Sequence, residues 1–279
     1  MKAISRRNLL LSAAAGGLLS GCAGEPPAGT PTVEPKAAFP EKLGVQLYTV
    51  RSVLPEKPED VLRRIAAIGY PIQQTAGDPA QAASAGTASL NAVLDKAASH
   101  GLNWIVIPYL SAEQRGTTLD YYRKLAERIE QAAVEARKRG IGLAYHNHAF
   151  EFEPMEGSSP FDVMAEVWKG GQAMWELDVF WVSVAGRDPV ETLRQQTGRV
   201  ALVHLKDKAP DLPAQYNEKV PPATFREAGN GSLDFAAILA AGRETGVKHY
   251  FVEQDQTPGD PVASLEQSYR HLRSLSVPA

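Results

Sequence analysis

The chain has 279 residues, a formal net charge of −3, 44% hydrophobic residues and 22% charged residues. That is room for one large domain or two small ones, and it implies no general attraction to nucleic acid. Cys22 is the only cysteine, so no disulfide framework forms within the chain, and beyond the first segment no apolar run is long enough to span a membrane.

The first segment, MKAISRRNLLLSAAAGGLLSGCAG, has a basic start, an apolar run and small residues, which is the build of an export signal. Ser5, Arg6 and Arg7 resemble a twin-arginine signal, and Leu19-Ser20-Gly21-Cys22 resembles a bacterial lipobox. Residues 1–22 are therefore expected to be an export signal, cleaved before Cys22, with that cysteine lipidated. No aspartate follows Cys22, so the expected location is the periplasmic side, anchored by lipid to the outer membrane, with no other membrane contact. Residues 23–40, rich in Pro, Gly, Ala and Thr, are expected to be a flexible tether, and the catalytic domain is expected over 41–279.

Within that domain, apolar runs of β type recur: LGVQLYTV, a weaker YPIQQTA, LNWIVIPYL, IGLAYHNH, AMWELDVFW, RVALVHLKD and HYFVEQD. Helical patterns lie between them. Over Pro58 to Ile68, Val61, Leu62, Ile65 and Ile68 recur at helical spacing and Gly69 stops the run. Further helices are expected over Leu119 to Arg139, Phe161 to Trp168, Pro189 to Gln196, Leu233 to Glu244 and Pro261 to Leu275. Alternating strands and helices imply a parallel sheet, and about eight such units predict a single (β/α)8 TIM barrel. The seventh strand is poorly marked and is expected within TFREAGNG. A doubly wound open sheet is the alternative; no glycine-rich phosphate fingerprint follows the first strand to support its dinucleotide-binding form.

Polar residues interrupt the apolar runs at their carboxyl ends, where such barrels carry their chemistry. These are His146 and His148, Asp178, His204 with Lys206 and Asp207, and Glu253 with Asp255. Alternation puts His204 and Lys206 on one face, and His146 and His148 on one face, while Ala201, Val203 and Leu205 face the helices. Taken singly, Asp178 could be a helix cap, His204 a satisfied buried histidine, Glu253 a surface residue, and Lys206 with Asp207 a solvated ion pair. Together, carboxylates and an imidazole at one barrel mouth suit a divalent ion such as Mn²⁺, Mg²⁺, Co²⁺ or Zn²⁺.

The segments LGVQLYTVR, YHNHAFEF, WELDVFWVSVAG, LVHLKD, GNGSLDF and FVEQD, spread over Leu43 to Leu275, resemble the sugar phosphate isomerase/epimerase group of xylose-isomerase-like TIM barrels. The resemblance extends to its ketose epimerases and 3-keto-glycoside lyases and hydratases. It implies one divalent metal ion, Mn²⁺ first, with Asp178, His204 and Glu253 as ligands. The family's remaining glutamate falls where this sequence has His146. The fourth ligand is then Glu151, reaching in from the next loop and keeping the usual ligand charge, or His146 itself; Glu151 is the expectation. It further implies Glu253 as catalytic base, with His146 and His148 as further acid–base groups facing a small carbohydrate substrate. Lys206 is expected to contact a substrate oxygen. Trp181 is expected to stack on the sugar, although it and Trp175 could equally be packing residues. The implied reaction is proton abstraction next to a carbonyl through a metal-bound enediolate. Elimination or hydration on keto sugars or 3-keto-glycosides would follow. Isomerisation or epimerisation of free ketoses is the alternative, and a surface-anchored sugar-binding protein is the second.

Overall fold

A computed structural model describes residues 43–74 and 87–277. The export signal expected over 1–22, Cys22 and the tether expected over 23–40 lie outside the described residues. Seven parallel strands form one sheet: β1 (Leu43–Gln46), β2 (Ile72–Gln74), β3 (Trp104–Ile107), β4 (Gly142–His146), β5 (Met174–Asp178), β6 (Val200–Leu205) and β9 (His249–Val252). Their order is β2-β1-β9-β6-β5-β4-β3. This is the curled parallel sheet of a TIM barrel, and among the described residues no pairing joins β2 to β3. The crossovers carry helices α1 (Pro58–Ile68), α2 (Thr87–Ser99), α3 (Leu119–Arg137), α4 (Pro160–Val167), α5 (Val179–Val184), α6 (Pro189–Gln195) and α7 (Phe235–Thr245); α8 (Pro261–Ser274) follows β9.

Local chemistry sets the helix ends. In α1, Pro58 opens the first turn, Glu59 and Asp60 face the positive end of the helix dipole, and Gly69 closes it at φ 118°. Val61 and Ile65 are the buried residues of its inner face. Asp260 caps α8 by accepting the amide of Val262.

Strand parity separates two cores. Val45, Leu143, Tyr145, Leu177, Val203, Leu205, Tyr250 and Val252 belong to the large core that contains the helices. Ala144, Leu202 and Phe251 form a small interior cluster, with Trp104, Val106 and Met174 packed on it. Ala201, expected among the helix-facing residues, joins the small cluster. Large side chains there sit beside residues without one: Gly44 is in register with Phe251 and Gly142 with Trp104. A Cβ at either glycine would collide with the partner ring. The interior is thus plugged by apolar packing below the carboxyl ends of the strands.

The seventh strand departs from expectation. Where TFREAGNG was expected to supply it, β8 (Phe225–Arg226) pairs antiparallel with β7 (Asp207–Lys208), apart from the parallel sheet, and β6 pairs directly with β9. The cause is Asp207. Its carboxylate accepts the backbone N–H groups of Lys208, Gly229, Gly231 and Leu233, which wraps the glycine-containing segment into a loop. Asp207 is therefore an organiser of that loop, not a solvated partner of Lys206.

Candidate metal centre

One interior-facing position near the end of each of four strands carries a ligand-type side chain. His146 follows Ala144 by two residues, Asp178 follows Glu176, His204 follows Leu202, and Glu253 follows Phe251. Sheet register aligns His146 with Glu176, Asp178 with His204, and His204 with Phe251. The four side chains His146, Asp178, His204 and Glu253 are buried, and one ligand atom from each lies within 4.8 Å of all the others. His146 Nε2 is 3.1 Å from Asp178 Oδ2, and His204 Nδ1 is 2.8 Å from Glu253 Oε2 and 3.8 Å from Asp178 Oδ2.

The far side of each imidazole is fixed by a carbonyl oxygen. His146 Nδ1 lies 2.9 Å from the Pro108 carbonyl, and His204 Nε2 lies 2.8 Å from Gln74 Oε1. A carbonyl only accepts, so each of those nitrogens carries a proton. The nitrogens left to bind a metal are then His146 Nε2, which here hydrogen-bonds Asp178 Oδ2 at 3.1 Å, and His204 Nδ1. His204 Nδ1 and Glu253 Oε2 are close enough for a hydrogen bond by distance, yet their angles make none, and neither buried atom has another hydrogen-bond partner. Two ligand atoms this close fit a cation held between them, a proton or a metal ion.

The charge balance agrees. Glu176, Asp178 and Glu253 are buried carboxylates. The buried cation beside Asp178 and Glu253 is Lys206, whose Nζ lies 3.0 Å from Asp178 Oδ2, 2.9 Å from Glu253 Oε2 and 2.8 Å from Asp255 Oδ1. Burial raises Asp178 and Glu253, but the Lys206 ammonium and the neighbouring histidines overcome it and hold both well below the usual carboxylate range. Burial also opposes charge on Lys206, and Asp178, Asp255 and Glu253 outweigh it, so its pKa stands well above that of a free lysine. Burial lowers His204, whereas Glu176 and Glu253 raise it to about 10. Without a metal, a proton on His204 therefore answers the surplus negative charge; a divalent cation would replace that proton.

Asp178 is also the N-cap of α5. Its Oδ1 accepts the amides of Phe180 and Trp181 while Oδ2 faces the centre, and its own amide donates to Asn147 Oδ1. The cap reading and the ligand reading of Asp178 are both satisfied by one carboxylate.

Other expected site residues fall differently. Glu151 is fully buried but outside the group of four. Its Oε1 accepts the Tyr145 hydroxyl at 2.7 Å and its Oε2 accepts the His148 amide at 2.8 Å. Tyr145 belongs to the helix-facing core, so the partner that holds Glu151 lies on the other side of β4 from His146. The fourth member of the group is His146, and Glu151, expected there, lies outside it. His148 lies beside the centre, its ring 4.8 Å from that of His146 and 5.4 Å from Trp181, with Nδ1 buried and unbonded. Burial, then His146 and Lys206, hold its pKa well below that of a free histidine, so its ring is neutral at pH 7. Trp181, expected to stack on a sugar, is 2% exposed and packs on Phe180, Phe225 and His148. Trp175 is likewise core, stacked on Phe161.

Two residues that bear on the centre went unnoticed in the sequence. Glu176 has the parity of Asp178 and could have been read from it. Gln74 ends the weakest strand and carries no signal of its own.

Residues 53–275 match the model of the xylose isomerase-like TIM barrel family. The chain belongs to that family. Among curated relatives, the inosose dehydratase of Clostridium botulinum (strain Alaska E43 / Type E3) is 26% identical over 159 residues, 53% of each chain. The chain thus spans about half the length of the curated relatives it matches. Among solved structures, a sugar phosphate isomerase/epimerase from Parabacteroides distasonis ATCC 8503 superimposes with a TM-score of 0.69 at 20% identity, covering 90% of this chain and 100% of that one. The 3-keto-D-glucoside 4-epimerase of E. coli gives a TM-score of 0.57 at 14% identity, covering 84% and 99%. These structural likenesses establish the xylose isomerase-like fold.

Proposed function

We propose that the protein is a divalent-metal-dependent enzyme that removes a proton next to the carbonyl of a keto sugar or 3-keto-glycoside and expels a β-leaving group. The observation that carries this reading is the convergence of His146 Nε2, Asp178, His204 Nδ1 and Glu253, with both histidine tautomers set from behind. His146, Asp178, His204 and Glu253 would hold the ion. A second imidazole in place of a carboxylate shifts the preference from the expected Mn²⁺ toward Zn²⁺ or Co²⁺. When bound, a divalent ion supplies Lewis-acid stabilisation of negative charge developing on a substrate oxygen.

The protein's own groups divide the remaining work. Lys206 keeps Asp178 and Glu253 ionised and offers a buried ammonium to a substrate oxygen. Glu253, held ionised by Lys206 2.9 Å away, is the base at the substrate carbon. His148 is neutral, with an unbonded Nδ1 beside His146, and is the second proton carrier. The names of the relatives agree with a ketone-bearing substrate: one is a dehydratase of inosose, another an epimerase of a 3-keto-D-glucoside. Return of the proton to the opposite face, in place of expulsion, gives the epimerase reading favoured by the second name. Export and a lipid anchor at Cys22 complete the proposal, and Cys22→Ala should then move the protein from the membrane to the soluble fraction.

The test is turnover of a 3-keto-glucoside in D₂O by metal-free and by Zn²⁺-, Co²⁺- or Mn²⁺-loaded protein, followed by NMR. Deuterium at the carbon next to the carbonyl, or an eliminated product, is expected, and both should vanish on chelation and in His204→Ala. Full turnover after exhaustive chelation would contradict the proposal. Binding of the sugar without exchange or product would favour a sugar-binding protein.

A further inference from the structure

Behind His204, on the side away from the centre, lies a polar chain that the proposed reaction does not use. Glu176 is 1% exposed and is buried within β5. Its Oε1 accepts a hydrogen bond from Gln74 Nε2 at 2.6 Å. Gln74 Oε1 in turn lies 2.8 Å from His204 Nε2. The direct separation of His204 Nε2 from Glu176 Oε1 is 3.4 Å, too long for a strong hydrogen bond. The contact between them therefore runs through the amide.

The polarity of this chain has one solution. An ionised carboxylate only accepts, so it draws the NH₂ end of Gln74 toward itself. That turns the carbonyl end of Gln74 to His204, where it demands an N–H. Nε2 must then carry the proton, and the Nδ1 lone pair is delivered to the centre. A glutamine alone would serve either tautomer, because its amide can turn over. Glu176 and His204 at the two ends are buried, which makes a mismatch at either end costly.

We propose that Glu176 is a positioning residue that acts through Gln74 to lock His204 in the tautomer that binds metal. This rests on the reading of His204 as a metal ligand. Glu176→Gln tests it, because a neutral amide at 176 can donate or accept and so no longer fixes the direction of Gln74. The neutral form of His204, the one that binds metal, is then split between its two tautomers, and in the Nδ1–H form the nitrogen facing the centre is blocked.

The experiment is Zn²⁺ titration by calorimetry of the full chain, with circular dichroism to confirm folding, on wild type, Glu176→Gln, His204→Ala and the exchanged pair Gln74→Glu/Glu176→Gln. Loss of such a supporting partner typically weakens metal binding about 10–100-fold, and that is the loss expected for Glu176→Gln. The exchanged pair places a carboxylate directly against His204 Nε2, with an amide donating to it. It should recover most of the lost affinity, a rescue that a merely structural residue would not show. In the Zn²⁺-loaded wild type, ¹⁵N spectra should place the His204 proton on Nε2. Wild-type affinity in Glu176→Gln or no recovery in the exchanged pair would each overturn the proposal while leaving the metal centre standing; a His204 proton on Nδ1 would remove His204 from the ligand set and the relay with it. Wild-type affinity in His204→Ala would instead remove the metal-ligand reading, and the relay with it.

Discussion

Glu151→Gln should change how stability depends on pH. Burial pushes the Glu151 carboxyl up to about 8, and its hydrogen bonds from Tyr145 and His148 offset only part of that. In the unfolded chain the same group titrates near 4.3. Below about pH 4 both states hold the proton, and the contribution to the folded state is fully present. Between about pH 4 and 8 the folded state keeps a proton that the unfolded state has released, so stability falls by up to about 1.4 kcal/mol per pH unit. Above pH 8 both states are ionised and the loss is complete, on the order of 4–5 kcal/mol across the window. Glutamine is nearly isosteric and does not titrate. The unfolding free energy of Glu151→Gln minus that of wild type should therefore grow steadily from pH 5 to pH 8. Urea unfolding, followed by circular dichroism in the presence of a chelator, measures this; titration of His204 is common to both proteins and cancels. A difference that stays flat over that range would refute the burial argument for Glu151.

Two further outcomes follow from the same electrostatics. His204, raised to about 10 without metal, holds a proton at neutral pH that the metal must displace. Zn²⁺ binding at pH 7 should therefore release about one proton, seen as a buffer-dependent calorimetric enthalpy, and apparent affinity should climb roughly tenfold per pH unit below the His204 pKa. Lys206→Met removes the ammonium shared by Asp178, Glu253 and Asp255. The metal-free protein should lose about 3–5 kcal/mol in urea unfolding, and added Zn²⁺ should restore part of that loss, because a cation replaces the missing charge.

Much of the centre was legible because a barrel strand sorts its side chains by parity and presents its chemistry at one end. Asp178, His204 and Glu253 break apolar runs at their carboxyl ends, and those are the positions that meet. The same parity would have yielded Glu176, masked because Asp178 ends the run more visibly. Glu151 misled for the opposite reason. Its charge suited a ligand, but sequence distance does not show that the 3-10 turn at Phe150–Phe152 delivers its carboxylate to Tyr145, behind the strand. Gln74 could not be found, since an amide at the end of a three-residue strand matters only through its two spatial partners. The missing seventh strand has a similar cause: Asp207 gathers backbone amides from residues more than twenty positions away.

The central claim is that His146, Asp178, His204 and Glu253 form one metal site. It is tested most directly by metal content and Zn²⁺ affinity of His146→Gln beside Glu151→Gln. The account predicts that His146→Gln empties or severely weakens the site, while Glu151→Gln retains about one ion per chain. A site emptied by Glu151→Gln and left loaded by His146→Gln would contradict it.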